Sequence, residues 1–360
     1  IPSINTLTTM AMLLMYVNEL PQYTSYIFIA EIAGMISGVI GAGGAFRLTP
    51  SIAESYPNGK KELALFYIET NIKWAGFFMM LMLGLIGGYM PLVLSKLTDI
   101  PDLQQYALAV DFLPFFLFQS LFTFFINLPN QILLGTMRVS FFTFVRLLEE
   151  AMQVFFVWLY LYVFRLQDQG AWGIGIIFGL EHFFPRIIKM IVCYWYINRK
   201  VFRIKIYWMQ CFVVPLISIL PTFALAKVWE LWLIDPLIDV LGLYVSMGIT
   251  LFVGIIISPL LIYLPLMAYF GGWDNKQLEL FKKSVELSGP SKFFVKPFYK
   301  MTKFWIDRSK YHNRFKIPWE EADRQIMELH LMKLNQDFVV PEKKDQNTEL
   351  ISWFKKKMKK

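Results

Sequence analysis

Between Trp74 and Met90 the chain carries no charged side chain, and comparable apolar runs recur along its first 270 residues. A helix needs about 20 such residues to cross a hydrocarbon layer of about 30 Å. That requirement narrows the fold more than any motif does. The apolar share of 56%, with 34 Phe in 360 residues, exceeds what an ordinary globular core uses. The expected class is therefore all-α, a polytopic helical membrane protein. The alternating segments of about ten residues that mark an outer-membrane barrel are not found.

Apolar runs read against breakers predict eight spans, at roughly 1–17, 24–46, 64–89, 105–128, 139–164, 171–196, 207–232 and 238–269. Turn chemistry separates them at Asn18 to Gln22, Tyr56-Pro57-Asn58-Gly59, Thr98 to Asp102 and Leu166 to Gly170. Arg47, Lys60, Lys61, Arg138, Arg199, Lys200, Arg203 and Lys205 fall in one alternating set of loops, while Lys96, Arg165 and Lys227 fall in the other. The positive-inside bias then places both ends of the chain in the cytoplasm, and the expected location is the cytoplasmic membrane. Because the chain opens on Ile1, directly in apolar sequence, it is expected to be a piece whose preceding part is missing.

Charge divides the chain as well. Residues 271–360 hold 20 Lys and Arg against 12 Asp and Glu, which is the whole of the net +8. The excess belongs to a tail, so it does not point to nucleic acid. Cys193 and Cys211 fall at or within spans and predict neither a disulfide framework nor a cysteine metal site.

Seven ionisable residues interrupt two consecutive spans: Arg146, Glu149 and Glu150, then Glu181, His182, Arg186 and Lys189. An ionised group near the bilayer centre costs at least about 2.5–3.5 kcal/mol and normally faces protein or a hydrated cavity. Arg146, Glu149 and Glu150 stand at i, i+3 and i+4 and share a face, as do His182, Arg186 and Lys189 at i, i+4 and i+7. At 1.5 Å per residue, Glu149, Glu150 and Glu181 lie near mid-membrane, with Arg146, His182 and Arg186 closer to the cytoplasm. Arg47 and Lys189 are expected to snorkel to the surface. Glu31, Glu69, Lys73 and Asp111 are further intramembrane charges. The bland reading of the Arg146 triplet is an internal ion pair, and of His182 a satisfied interior histidine.

The glycines of 34–44 and 170–179 read as close helix packing. Pro91, Pro114, Pro129, Pro185, Pro215 and Pro221 read either as helix breaks near a site or as tolerated kinks. No Gly-rich phosphate loop, His-Glu-x-x-His or nucleophile elbow is present, which argues against an enzyme and against direct ATP drive in this chain.

Three stretches carry a family resemblance. One is Arg47-Leu48-Thr49-Pro50-Ser51-Ile52-Ala53-Glu54, after a Gly-rich span. Another is Leu128-Pro129-Asn130-Gln131-Ile132-Leu133-Leu134-Gly135-Thr136-Met137-Arg138, between spans. The third is Asn275-Lys276-Gln277-Leu278-Glu279-Leu280-Phe281-Lys282-Lys283, after the last span. In order and spacing, from about Ala42 to Leu287, they resemble the multidrug/oligosaccharidyl-lipid/polysaccharide exporter superfamily, and most of all its polysaccharide-type, lipid-linked oligosaccharide flippases.

That resemblance implies a second six-helix lobe at 1–196, two additional spans at 197–270 and an absent first lobe as partner. It implies a flippase of lipid-linked saccharides working by ion-coupled alternating access. In such a protein Lys73, Arg146 and Arg186 would bind the anionic head of the substrate. Glu149, Glu150 or Glu181 would couple to H+ or Na+, with His182 as a possible relay; no catalytic residue, metal or other cofactor is expected. The rivals are a drug/cation antiporter of the same superfamily, a membrane glycosyltransferase with Asp99 and Asp102 as its only acidic pair, and a scaffold.

Within the tail at 271–337, Lys292, Lys296, Lys300, Lys303, Arg308, Lys310, Arg314 and Lys316 interleave with Phe293, Phe294, Phe298, Tyr299, Phe304, Trp305, Tyr311 and Phe315. Basic heads among aromatic rings suit an anionic leaflet, the alternative being a solvated helix. Residues 318–337 read as a mixed-charge helix. The stretch 338–360, ending Lys355-Lys356-Lys357-Met358-Lys359-Lys360, reads as disordered and basic.

Overall fold

The computed structural model describes residues 7–9, 11–13, 15, 27, 45, 47–96 and 109–338. The predicted spans 1–17 and 24–46, with Glu31 and the glycines of 34–44, lie almost wholly outside these residues. So do the turns at Asn18–Gln22 and Thr98–Asp102, with Asp99, and the stretch from Pro341 to Lys360.

The described chain is helical, with no strand among its described residues. In order, the elements are α1 (Leu48–Ser55), α2 (Lys61–Ser95), α3 (Ala109–Gly135) and α4 (Val139–Trp158, continued by a π-helical turn Leu159–Val163). Then follow α5 (Gly170–Leu180), α6 (Phe183–Lys200), α7 (Met209–Leu241) and α8 (Leu243–Tyr269). The tail adds α9 (Asn275–Leu287), α10 (Lys292–Ile306) and α11 (Glu320–Phe338). Among the described residues, four helices are long and apolar enough to cross a membrane: α2, α3, α7 and α8.

α3 is the hub. It packs on α1, α2, α5 and α6, and more lightly on α4, while α2 joins it to α7 and α8. Toward one end, Ile68 and Ile72 of α2 meet Phe124, Leu128 and Ile132 of α3 and Cys193 and Ile197 of α6. Toward the other, Phe112 and Phe116 of α3 meet Val157, Tyr160, Ile174 and Ile177. Gly175 and Gly179 stand where a Cβ would come within 2.7 and 2.5 Å of the Phe115 side chain, so these glycines serve packing, as read from the sequence.

α2 and α7 run in the same direction. Gly76, Gly84 and Gly88 meet Cys211, Ile219 and Ala226 in turn, and Lys96 pairs with Asp235 at 2.6 Å at the far end. α8 returns antiparallel, with Tyr89 Oη and Ser258 Oγ 2.7 Å apart and Tyr263 Oη donating to Phe77 O at 2.6 Å. Such interhelical bonds average about 0.6 kcal/mol in membranes, so close backbone packing contributes more to the association.

Two helix boundaries differ from expectation for identifiable reasons. α3 runs seven residues past the predicted end at Leu128, through Pro129 to Gly135. It closes in a Schellman motif: Met137 takes φ 60°, Arg138 N donates to Leu133 O at 2.8 Å and Met137 N to Leu134 O at 3.1 Å. α7 continues past the predicted end at Trp232 to Leu241, because Asp235 is answered by Lys96. The turn into α8 falls at Gly242, whose φ of 77° disfavours any side chain.

The tail is docked, which differs from a purely solvated helix. Asp274 caps α9 through a capping box with Gln277, and the same two side chains take the Lys73 ammonium from α2, Asp274 at 3.4 Å. α10 lies on the end of α8, with Ser309 Oγ donating to Tyr269 O at 2.5 Å. α11 lies on the start of α2: Lys60 pairs with Glu328, Glu54 with Lys333, and Gln325 accepts from Leu63 N. The Lys60 ammonium beside it holds the Glu328 carboxyl below the usual carboxylate range. All the Lys- and Arg-rich loops thus share one end of the bundle with the tail.

Candidate functional site: a charged cluster between three helices

α4 and α6 each carry an exposed apolar face. Phe144, Leu147, Leu148, Phe155 and Trp158 of α4, and Phe184, Ile188, Ile191 and Trp195 of α6, are exposed. Their polar faces turn toward each other and toward α3. Antiparallel contact is set by Phe141 stacking on Tyr196 at 3.8 Å and Phe156 on Phe184 at 5.8 Å, which brings Glu149 level with Lys189.

Glu149 is the node. Its Oε2 accepts from Arg146 Nη1 and from Lys189 Nζ, both at 2.8 Å, and its Oε1 faces Arg186 Nε at 3.6 Å. The other arm of the Arg146 fork reaches Glu150 Oε1 at 2.7 Å. Glu149 is 4% exposed and Lys189 2%, whereas the Arg146 and Arg186 side chains are 44% and 35% exposed. Three cations therefore surround Glu149, with Glu150 on Arg146 and Glu181 within electrostatic reach of Arg186; the residues on the open side are the three cations and one carboxylate, Glu149.

That side is a cavity of about 150 Å³ lined by Arg146, Glu149, Arg186 and Lys189 with Thr123, Ile126 and Asn127 of α3. With its amide oriented to satisfy both ends, Gln119 accepts from Arg186 Nη1 and donates to Gly179 O, each at 3.2 Å.

Beside the cluster the α5–α6 span is broken at Glu181 and His182. The cause is local. Pro185 has no N–H to offer the Glu181 carbonyl four residues earlier, and its ring would collide with that carbonyl. Regular bonding resumes with Arg186 N donating to His182 O at 3.1 Å. Gln153 fills the break, donating to Glu181 Oε1 at 2.7 Å and lying 3.3 Å from His182 Nε2. Of the prolines, Pro185 marks the break at the charged site, whereas Pro91, Pro114, Pro129 and Pro221 are carried inside helices.

The structure thus brings together Arg146, Glu149, Glu150, Arg186 and Lys189, and places Glu181 and His182 on Gln153 beside them. Lys189 does not snorkel: a buried carboxylate within reach holds its ammonium inside the bundle. Lys73 is not in the cluster; it is buried against Asp274 and Gln277 at the root of the tail. Glu69 accepts from Lys205 N at 3.3 Å, and Asp111 is exposed.

Sequence reading passed over Gln153, Gln119, Thr123 and Asn127. The signal was present: Gln153 is four residues beyond Glu149, and Gln119, Thr123 and Asn127 recur every four residues along an otherwise apolar helix. Comparison of the chain with protein-family models, with curated proteins and with solved structures finds no match to any of them.

Proposed function

We propose that this chain is part of a membrane transporter that moves a lipid-linked saccharide across the cytoplasmic membrane, with Arg146 and Arg186 taking the phosphate-bearing head. The observation that carries this reading is the cavity lined by three cations, Arg146, Arg186 and Lys189, and a carboxylate, Glu149. A water occupies about 30 Å³ in the liquid, so about 150 Å³ holds a phosphate group with little else. Guanidinium forks suit phosphate oxygens. The sugar would lie outside this cavity.

Coupling follows from competition. Arg146, Arg186 and Lys189 surround Glu149, so a substrate phosphate and the Glu149 carboxylate are alternative partners for the same cations. A proton or sodium ion on Glu149, or on Glu150, favours the substrate-bound arrangement, and Glu181 at the helix break offers a second ion-binding carboxylate beside His182. A cation antiporter fits less well, because the open side of the cavity is positive.

The test is dithionite-quenched flipping of a fluorescent lipid-diphosphate sugar in proteoliposomes. Arg146→Glu and Arg186→Glu are each expected to slow flipping at least about tenfold, the scale of a lost charge-assisted bond, while Arg146→Lys keeps part of the rate. Wild-type flipping in both charge-reversed variants would sink the reading, as would transport of a cationic dye in place of the glycolipid.

The tail adds a membrane contact in the same reading. Phe293 and Phe294 are 79% and 72% exposed on α10, beside exposed Lys292, Lys296 and Lys300, next to the end of α8. Aromatic and basic side chains at that level suit anionic headgroups. Cys193 and Cys211 are buried, so Phe293→Cys can be labelled selectively with a fluorophore. The expected result is strong quenching by headgroup-level spin-labelled lipid in anionic vesicles and weak quenching in neutral ones. Equal quenching in both would exclude a charge-driven contact.

A further inference from the structure

Where α6 ends, the chain turns back on it. Asn198 Oδ1 accepts from Ile204 N at 3.1 Å, which fixes Arg203 beside the last turn, next to Arg199 and Lys200. With Trp195, Tyr196 and Ile204 these residues line an open depression of about 790 Å³. Trp195 is 55% exposed and carries the Arg199 guanidinium 4.8 Å above its ring. Among the described residues, Arg199, Lys200 and Arg203 have no carboxylate within ion-pair distance.

Two general effects account for some of this charge. A helix C-terminus favours cations in its last turn, and short cytoplasmic loops collect Lys and Arg. Neither effect explains why Arg203, outside the helix, is tied back by Asn198 so that three cations border one concave surface. Nor does either place an exposed indole there. Tryptophan is enriched at the headgroup level of a bilayer, so an exposed indole among three cations suits a surface that meets lipid phosphates.

We propose that this depression binds the headgroup of an anionic membrane lipid carrying two phosphates. Three convergent cations match two phosphates better than one, and the volume is several times that of the cavity between α3, α4 and α6. The Arg199 guanidinium and the Trp195 ring form the wall against which the headgroup packs. The site is separate from the charged cluster and does not depend on the transport reading.

The experiment is native mass spectrometry of the whole chain in neutral detergent, with cardiolipin, phosphatidylglycerol and inorganic pyrophosphate as probes. Cardiolipin is expected to be retained about tenfold better than phosphatidylglycerol, because its second phosphate engages a further basic residue of the three. The variant Arg199→Gln/Lys200→Gln/Arg203→Gln loses that preference, and Lys282→Gln/Lys283→Gln, at exposed lysines of α9, keeps it. Retention by the first variant, or equal loss in the second, overturns the assignment. Displacement of cardiolipin by pyrophosphate at equal concentration also overturns it, since the site would then be one for a free anion. A photoreactive cardiolipin analogue provides a reading that needs no variant: labelling of residues 195–204 supports the site, and labelling confined to 292–308 refutes it.

Discussion

Replacing Glu149 by Ala is expected to destabilise the bundle by about 3–5 kcal/mol, the cost of stripping a buried charge of its partner. The weight of the effect falls on Lys189, which is buried and has Glu149 as its carboxylate. Arg146 keeps Glu150 and remains partly open to the cavity, so it suffers less. The pair can be separated from the single group. Glu149→Met combined with Lys189→Met removes both charges, and should recover most of the loss, because an apolar pair of similar volume is often no worse than an ion pair. The measurement is unfolding in mixed micelles as denaturing detergent is titrated in. A loss below about 1 kcal/mol for Glu149→Ala would mean that the cluster is hydrated enough to do without its central carboxylate.

Gly76→Val is the second large effect. A Cβ at Gly76 would lie 2.0 Å from the Cys211 carbonyl oxygen, which is backbone and cannot rotate away. At Gly84 the obstruction is the Ile219 side-chain tip at 2.1 Å, which can adopt another rotamer. The expected order is therefore a loss of about 3 kcal/mol or more for the first, at or beyond the top of the usual overpacking range, and about 1 kcal/mol for Gly84→Ala. Thermal aggregation midpoints of the two variants in one detergent give the comparison. Equal midpoints would show that α2 and α7 are not held by backbone contact at Gly76.

These two positions also mark what a sequence can and cannot show. The shared face of Arg146, Glu149 and Glu150 follows from spacing alone, and the ion pairs form on it. Pro185 likewise announces a break four residues upstream, where Glu181 and His182 stand. Sequence alone groups Lys73 with the arginines, as another cation inside a span, yet its partners are Asp274 and Gln277, some 200 residues later. Spacing along one helix gives no information about such a pairing. Depth along the helix puts Lys189 at the surface, but depth is blind to the Glu149 carboxylate across the interface. Gln119, Thr123 and Asn127 were legible as a stripe but carry no charge, and uncharged polar residues in spans more often bond between helices than line a cavity. The count of eight spans remains an expectation for residues beyond the four long apolar helices described.

The parallel pairing of α2 with α7 has a consequence for how the protein is made. Helices enter the bilayer in the order in which they are synthesised, and α2 does so well before α7. Until α7 emerges, the groove over Gly76, Gly84 and Gly88 faces lipid that cannot fill it as closely as a neighbouring backbone. Insertion of the early helices is therefore only a provisional arrangement, and the final seam of the bundle closes late, when a distant segment slides in alongside the second.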